Sequence, residues 1–140
     1  MLCNEIMTTN PEVCLPSDPV IKAAQLMKSE DVGPIPIVEG KDDKKLAGII
    51  TDRDLAIKVV AEALDPRATR VVEVMSENVV TCKENDDVDK ALKLMQEYQV
   101  RRIPVVDNSD HLLGIIAQAD VATRLGSSRT TGRVVEQVSK

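Results

Sequence analysis

The chain has 140 residues and a formal net charge of −5 at pH 7, with 43% hydrophobic and 29% charged residues, as is typical of a folded domain. Because its net charge is negative, it lacks the positive field of nucleic-acid-binding proteins. It has no Phe or Trp and a single tyrosine, so it also lacks the aromatic side chains on which bases stack. No apolar run approaches the roughly 20 residues that span a bilayer, and the first residues contain no signal-peptide core. We therefore expect a cytoplasmic protein that binds neither nucleic acid nor membrane.

The chain contains an internal repeat. Residues 7–38 align with residues 75–106 at an offset of 68, and 13 of the 32 aligned positions are identical. The match resumes at an offset of 66, where residues 46–50 align with residues 112–116. A unit of about 60 residues is marginal for an independent core, so we expect the two units to pack as one module. The predicted boundaries are 1–63 for the first unit, 64–70 for a joint, 71–126 for the second unit and 127–140 for a C-terminal tail.

Both repeats show the same order of apolar patterns. Apolar residues recur at helical spacing from Val20 and again from Val88, and Asp18 and Asp86 precede these runs as candidate N-caps. The first repeat is predicted to contain a strand at 12–15, a helix from 20, strands at 35–38 and 46–50, and a helix from 52 to about 63. The second is predicted to contain a strand at 79–82, a helix from 88, strands at 103–106 and 112–116, and a helix from 118 to about 125. The predicted fold class is α/β, with two pseudo-symmetric β-α-β-β-α units.

The turn after the strand at 46–50 carries the first candidate site residues. Thr51 and Asp54 have the spacing of a capping box, in which a hydroxyl and an acidic side chain satisfy amides at the start of a helix. The second repeat has Ala117 and Asp120 at these positions, so the acid is kept while the hydroxyl is lost. Reciprocal capping needs both side chains, so capping alone does not explain why the second repeat keeps only the acidic residue. The pattern therefore leaves capping and ligand binding both open.

A second difference between the repeats concerns positive charge. Arg101 and Arg102 occupy the positions of Gly33 and Pro34. A guanidinium pair binds phosphate oxygens, whereas a carboxylate such as that of Asp54 accepts hydrogen bonds from a vicinal diol. A ligand with a diol and a phosphate is a ribose phosphate, which indicates a nucleotide. The alternative to phosphate binding is that the two arginines are solvated side chains that precede a strand.

The repeated runs resemble a known family. IPIV at 35–38 with GIITDRD at 48–54, and IPVV at 103–106 with GIIAQAD at 114–120, are similar to a tandem pair of cystathionine β-synthase (CBS) domains, a Bateman module. The resemblance covers residues 7 to about 125. The run TDRDLAIKVVAEALDP at 51–66 is particularly similar to stand-alone prokaryotic two-CBS proteins of the hypoxic-response group.

The resemblance implies adenine nucleotide binding in clefts between the two units. The complete cleft would use Thr51 and Asp54 for phosphate and ribose, with Arg101 and Arg102 on the phosphate. Main chain and apolar residues would hold the adenine, in the region of Val80, Ile49 and Ile50. The pseudo-symmetric cleft would use Asp120, Ala117, Gly33 and Pro34. It departs from the family pattern because it lacks the hydroxyl and the arginines, so we expect it to be weak, empty or specialised for adenosine or S-adenosylmethionine.

The function expected from these residues is a sensor that binds AMP, ADP or ATP and changes the packing of the module or of a homodimer. The alternatives are a ligand-independent dimerisation or protein-interaction module and a module that binds a ligand of the S-adenosylmethionine type. The sequence also leaves open whether the protein binds another, unidentified protein. We expect no required cofactor, the nucleotide being a regulatory ligand, and no enzymatic activity. Cys3, Cys14, Cys82 and the single histidine, His111, are too scattered to predict a metal site, and Cys14 and Cys82 are expected to be buried thiols.

Overall fold

A computed structural model describes residues 1–124, so the predicted tail at 127–140 lies outside the described residues. Its helices are α1 (Cys3–Ile6), α2 (Val20–Glu30), α3 (Asp52–Leu55), α4 (Val88–Tyr98) and α5 (Gln118–Arg124). Its strands are β1 (Thr8–Thr9), β2 (Ile35–Val38), β3 (Leu46–Ile50), β4 (Cys82–Lys83), β5 (Arg102–Val106) and β6 (Leu112–Ala117). A π-helical segment (Ala56–Val60) continues α3, and a 3₁₀ turn covers Val71–Glu73. No helix of residues 1–124 has the length and apolarity that a membrane crossing needs.

The chain forms two compact units that do not coincide with the two repeats. One unit is Glu12–Val79, and the other combines Met1–Pro11 with the described chain from 80 to 124. In the first unit β2 and β3 form an antiparallel pair. In the second unit the strands are ordered β1-β6-β5-β4, with β4 parallel to β5 and the other pairs antiparallel.

Most of the predicted helices and strands form, because each buries one apolar face in its own unit. The strand predicted at 12–15 is wrong, since only an isolated bridge between Cys14 and Ile37 is found there, and the strand predicted at 79–82 is found at Cys82–Lys83. α2 buries Val20, Ala23 and Met27, and all four residues of β2 are buried. The same spacing in the other unit buries one face of α4 against β5 and β6. The predicted α/β fold and the strand positions at 35–38 and 46–50 are confirmed.

The predicted N-caps Asp18 and Asp86 are wrong. The N-cap positions are Pro19 and Asp87, one residue later. Asp18 instead accepts a hydrogen bond from the Leu15 amide (2.8 Å), and Asp86 accepts one from the Lys83 amide (2.8 Å). Both carboxylates therefore close the turn that leads into the helix, which is the other common use of aspartate near a helix start.

Each repeat contributes its first residues to the unit built mainly from the other repeat. These exchanged segments are residues 1–8 and 69–76, which are equivalent at the same offset of 68. In one unit the Val88 amide, at the start of α4, donates to the carbonyl oxygen of Met1 (2.8 Å). In the other unit the Val20 amide, at the start of α2, donates to that of Thr69 (2.9 Å). Each exchanged segment thus satisfies an amide at a helix N-terminus that has no partner within the helix.

Residues of the predicted joint at 64–70 make backbone contacts near the start of α2. The Ile21 amide donates to the carbonyl oxygen of Pro66 (3.0 Å), and Arg70 forms an isolated antiparallel bridge with Pro19. These residues therefore lie within the unit Glu12–Val79. The repeat boundaries and the boundaries of the compact units are different divisions of this chain.

Two glycines mark where an exchanged segment passes close to a strand. A β-carbon at Gly48 would lie 2.7 Å from the Ser76 carbonyl oxygen and 2.9 Å from the sulfur of Met75. A β-carbon at Gly114 would lie 2.6 Å from the Thr8 carbonyl oxygen. Because backbone oxygen atoms cannot move as a flexible side chain can, glycine is required at both crossings.

We therefore expect Gly48→Ala to lower the free energy of unfolding by about 1–3 kcal/mol, the usual range for an overpacked site. Gly40→Ala is the matched control, since its β-carbon would make only ordinary contacts, 3.7 Å from the Asp43 carbonyl oxygen. Urea unfolding of both variants measures the difference. Equal midpoints for the two variants would show that the crossing is not close-packed.

Candidate ligand-binding site

The turn from β3 to α3 is closed by the predicted capping box. The Asp54 amide donates to the Thr51 hydroxyl oxygen (3.2 Å), and the Thr51 amide donates to Oδ2 of Asp54 (3.0 Å). The Thr51 hydroxyl also donates to the same Oδ2 (3.1 Å). The capping interpretation of this pair is therefore confirmed. The hydroxyl proton is already engaged, so donation to a phosphate would require it to leave Asp54.

The other carboxylate oxygen of Asp54 contacts a residue that sequence analysis did not single out. The ammonium group of Lys58 lies 3.2 Å from Oδ1 of Asp54 and donates a second hydrogen bond to the carbonyl oxygen of Val74 (3.0 Å). Lys58 is four residues after Asp54, the spacing of an ion pair on a helix. That spacing was the available signal, and the second repeat repeats it in sequence with Asp120 and Arg124.

These contacts limit what Asp54 has left to offer a ligand. An ionised carboxylate has about four acceptor positions, two on each oxygen. Oδ2 accepts two hydrogen bonds from Thr51, and Oδ1 accepts one from Lys58. One acceptor position on Oδ1 remains. The Asp54 side chain is only 17% exposed, so its contacts are weakly screened by solvent.

The loop before β2 is fixed to the start of α3 by a backbone hydrogen bond. The Asp52 amide donates to the Gly33 carbonyl oxygen (3.1 Å). A β-carbon at Gly33 would lie 3.3 Å from Oδ1 of Asp52, so a side chain there would crowd that carboxylate. In the other unit the Gln118 amide makes the equivalent bond to the Arg101 carbonyl oxygen (2.8 Å). Both repeats therefore hold this loop in the same way despite their different side chains.

The arginine pair lies in the unit that also contains Asp120. Arg101 is exposed and Arg102 is half-buried at the start of β5, where it pairs in register with Ala117. Asp120 is exposed in the first turn of α5. The structure thus groups Arg101 and Arg102 with Asp120, and Thr51 and Asp54 with the loop containing Gly33 and Pro34. The predicted combination of Thr51 and Asp54 with the two arginines stays a prediction.

The residues predicted to surround adenine have different degrees of burial. Ile50 is fully buried in the core of its unit. Ile49 is half-buried, and its backbone is paired with Ser76 by two hydrogen bonds of 2.9 Å. Val80 is partly buried against the core of the other unit. Their contact with adenine stays a prediction, and the main-chain groups of Ile49 are already paired.

The chain after Thr51 has three exposed large apolar side chains. Val59 is buried, whereas Val60 is 75% exposed, and Ile57 and Leu64 are also exposed. In the π-helical segment the Ala61 amide donates to the carbonyl oxygen of Ala56 five residues earlier (2.9 Å). Val59 and Val60 thus lie in different environments although they are adjacent in the chain.

No group of three or more His, Cys, Asp or Glu side chains in residues 1–124 could hold a metal ion. The prediction that Cys14 and Cys82 are buried thiols is confirmed, and Cys3 is also buried.

Comparison with known proteins identifies the repeats. The family model described as "CBS domain" matches residues 3–61 and 71–127. Hypoxic response protein 1 of Mycobacterium tuberculosis is 40% identical over 104 residues, which cover 74% of this chain and 70% of that protein. A crystal structure of Hypoxic Response Protein I with two coordinated zinc ions has a TM-score of 0.79 and 34% identity, and the match covers 90% of this chain and all of that one.

Two further solved structures contain adenosine compounds. The CBS domain pair of protein MJ0100, solved with 5′-methylthioadenosine and S-adenosyl-L-methionine, has a TM-score of 0.73 and 29% identity, and the match covers 90% of this chain and 96% of that one. CBSX2, solved in complex with AMP, has a TM-score of 0.76 and 25% identity and covers 89% of this chain and 95% of that one.

Proposed function

Because this chain belongs to the CBS domain family and contains two copies of the domain, we propose that it is a regulatory module that binds AMP or another adenine nucleotide. CBS pairs are regulatory modules, and two structures similar to this chain were solved with adenosine compounds. The proposal is that Thr51 and Asp54 contact the ribose phosphate and that Arg101 and Arg102 neutralise the phosphate. We propose that the protein is located in the cytoplasm. The nucleotide acts as a regulatory ligand, and the protein requires no cofactor.

The observation that carries this proposal is the unequal chemistry of the two repeats. Thr51 with Asp54 can serve a hydroxyl-rich ligand, and only the second repeat supplies two guanidinium groups at the loop before its strand. The second combination, Asp120 with Gly33 and Pro34, has neither the hydroxyl nor the arginines. We propose that it is weak or prefers adenosine or S-adenosylmethionine, whose adenosyl group carries no phosphate.

Binding measured by calorimetry on ligand-free protein tests the proposal. We expect AMP, ADP or ATP to bind with one dominant site, and adenosine to bind more weakly because it cannot contact the arginines. Native mass spectrometry of the protein as purified identifies any ligand that it carries. Absence of binding by all adenine nucleotides at millimolar concentration would contradict the proposal.

A ligand-independent homodimer is the second candidate. The exposed side chains of Ile57, Val60 and Leu64 favour it, because large exposed apolar side chains are common at protein–protein contacts. Sedimentation analysis with and without AMP separates the two candidates. A dimer whose mass and shape are the same with AMP would favour the interaction module, whereas a change with AMP would favour the sensor.

A further inference from the structure

Lys58 extends the candidate site beyond the residues that the sequence indicated. Its ammonium group lies 3.2 Å from Oδ1 of Asp54 and donates to the carbonyl oxygen of Val74 (3.0 Å). Both partners belong to the compact unit Glu12–Val79, so the position of this cation is fixed within one unit. Lys58 also lies in the middle of the π-helical segment, a rare geometry that is found frequently at functional sites.

The exchanged segment at 69–76 anchors the Lys58 side chain. It supplies the Val74 carbonyl group, and two residues later the backbone of Ser76 pairs with that of Ile49 through two hydrogen bonds of 2.9 Å. Ile49 lies two residues before Thr51, so one segment contacts both the strand that leads into the turn and the lysine that follows it. A lysine held by two acceptors loses less conformational entropy on binding a ligand than a solvated lysine does.

The Lys58 ammonium group and the Asp54 carboxylate each keep one hydrogen-bonding position. Within residues 1–124, Lys58 uses two of its three donors, one for Asp54 and one for Val74. Asp54 keeps one acceptor position on Oδ1, the oxygen that Lys58 contacts. The Lys58 side chain is 46% exposed, so a ligand can reach it. A donor and an acceptor for a ligand are thus 3.2 Å apart.

A ligand hydroxyl fits this pair because it both donates and accepts hydrogen bonds. It can donate to Oδ1 of Asp54 at about 2.7 Å while it accepts from Lys58 at about 2.9 Å, the usual lengths of such bonds. One oxygen can satisfy both distances, because three atoms at these separations form a nearly equilateral triangle. An ionised phosphate oxygen only accepts and would be repelled by Asp54, whereas an amino group bound to an aromatic ring only donates.

We propose that Lys58 binds a ribose hydroxyl together with Asp54, and that this pair makes the site selective for a hydroxyl at one position of the ribose. The inference rests on the proposed function, because it takes an adenine nucleotide to be bound beside Thr51 and Asp54. It assigns Lys58 to the sugar and leaves the phosphate to Arg101 and Arg102. Since the charges of Lys58 and Asp54 balance, this part of the site requires no charge on the ligand.

A purely structural role for Lys58 has the opposite consequence for binding. As an ion pair alone, Lys58 occupies an acceptor position of Asp54 that a ligand could use, so its removal would leave AMP binding unchanged or strengthen it. As a direct contact, its removal weakens AMP binding about 10-fold, the lower end of the range for a hydrogen bond to a charged group, because the side chain is half-exposed. The sign of the effect therefore separates the two roles.

The same unit contains a matched ion pair that has no assigned role in the site. Lys22 lies 3.2 Å from a carboxylate oxygen of Asp18 at the same four-residue spacing, and its side chain is 42% exposed. The pair is repeated in the other unit by Lys90 and Asp86, at 3.4 Å, so it belongs to the framework of the repeat. Lys22→Met therefore removes an equivalent ion pair and leaves Lys58 and Asp54 in place.

Calorimetric titration of wild type, Lys58→Met and Lys22→Met with AMP, 2′-deoxy-AMP and 3′-deoxy-AMP tests the proposal. We expect wild type and Lys22→Met to bind AMP equally and to prefer it over one of the deoxy compounds. In Lys58→Met, AMP affinity should fall about 10-fold and that preference should shrink at least threefold. A circular dichroism melt of each variant establishes the temperature at which all three proteins are folded.

Two results of these titrations would overturn the proposal while leaving the proposed function intact. One is AMP binding by Lys58→Met that is unchanged or tighter. The other is an equal loss of affinity for AMP and both deoxy compounds, which indicates a structural role. A wild type that does not bind AMP would instead overturn the proposed function, and this inference with it.

Chemical labelling of the lysines gives a test that needs no variant. Lys58 and Lys22 have similar exposure and similar ion pairs, so we expect both to be acetylated in the ligand-free protein. Saturating AMP should remove most of the labelling of Lys58 and leave that of Lys22 unchanged, as measured by mass spectrometry of the digested protein. Equal labelling of Lys58 with and without bound AMP would overturn the direct contact.

Discussion

Replacing Arg101 and Arg102 together with glutamine is expected to weaken AMP binding about 100-fold while adenosine binding changes less than about twofold. Each charged hydrogen bond to a phosphate contributes roughly 1.5–3 kcal/mol, and exposure of Arg101 places the pair at the lower end of that range. Glutamine keeps a polar side chain at each position and removes the charge. Calorimetric titration with AMP and adenosine measures the difference between the two ligands.

The ligand comparison is what makes the arginine variant informative. Lys93→Gln is the control, because Lys93 is an exposed cation on α4 of the same unit and is assigned no phosphate. We also expect the salt dependence of AMP affinity to decrease in the double variant and to stay unchanged in Lys93→Gln. An equal loss of AMP and adenosine would show that the arginines support the fold of the loop and do not bind phosphate.

Asp54→Ala is the second large expected effect, and it should act on both binding and stability. Loss of the ribose hydrogen bond is expected to weaken AMP binding about 10- to 100-fold. Loss of the capping box and of the Lys58 ion pair should also lower the free energy of unfolding by about 1–2 kcal/mol. Binding must therefore be measured well below the Tm of the variant, which a melt establishes first.

The acceptor count of Asp54 sharpens this experiment. With one acceptor position left on Oδ1, we expect Asp54 to accept from one ribose hydroxyl. Either 2′-deoxy-AMP or 3′-deoxy-AMP should bind the wild type more weakly than AMP does, and Asp54→Ala should abolish that difference. Asp52→Ala removes an equal charge from the same turn and serves as the control. If the deoxy compounds bind both proteins as AMP does, Asp54 does not contact the ribose.

The sequence predicted the elements whose burial depends on periodicity. The strands at 35–38 and 46–50 and the helices beginning at Val20 and Val88 are found at those positions, because apolar side chains at these spacings must share one buried face. The capping box at Thr51 was equally predictable, since it depends on residues three positions apart. Local chemistry and local spacing were sufficient for these features.

The features that the sequence did not predict depend on contacts between distant residues or on departures from regular helix geometry. Residues 2–7 and 70–75 share only Glu and Met, so their equivalence is weak in sequence, although their backbones make matching hydrogen bonds. The π-helical segment at Ala56–Val60 was also not predicted, because the apolar spacing indicated a regular helix there. The partners of Asp54 also required coordinates, because Lys58 could have remained solvated.

The exchange of segments has a consequence for the order in which the chain can fold during its synthesis. Residues 12–79 are contiguous, so their unit can form as soon as they have emerged. Residues 1–11 emerge before them, yet Thr8 pairs with Ile115, which is synthesised 107 residues later, 115 − 8. Residues 1–11 are thus synthesised before both units but are among the last to reach their native partners, so the Cys3 side chain stays unburied until then.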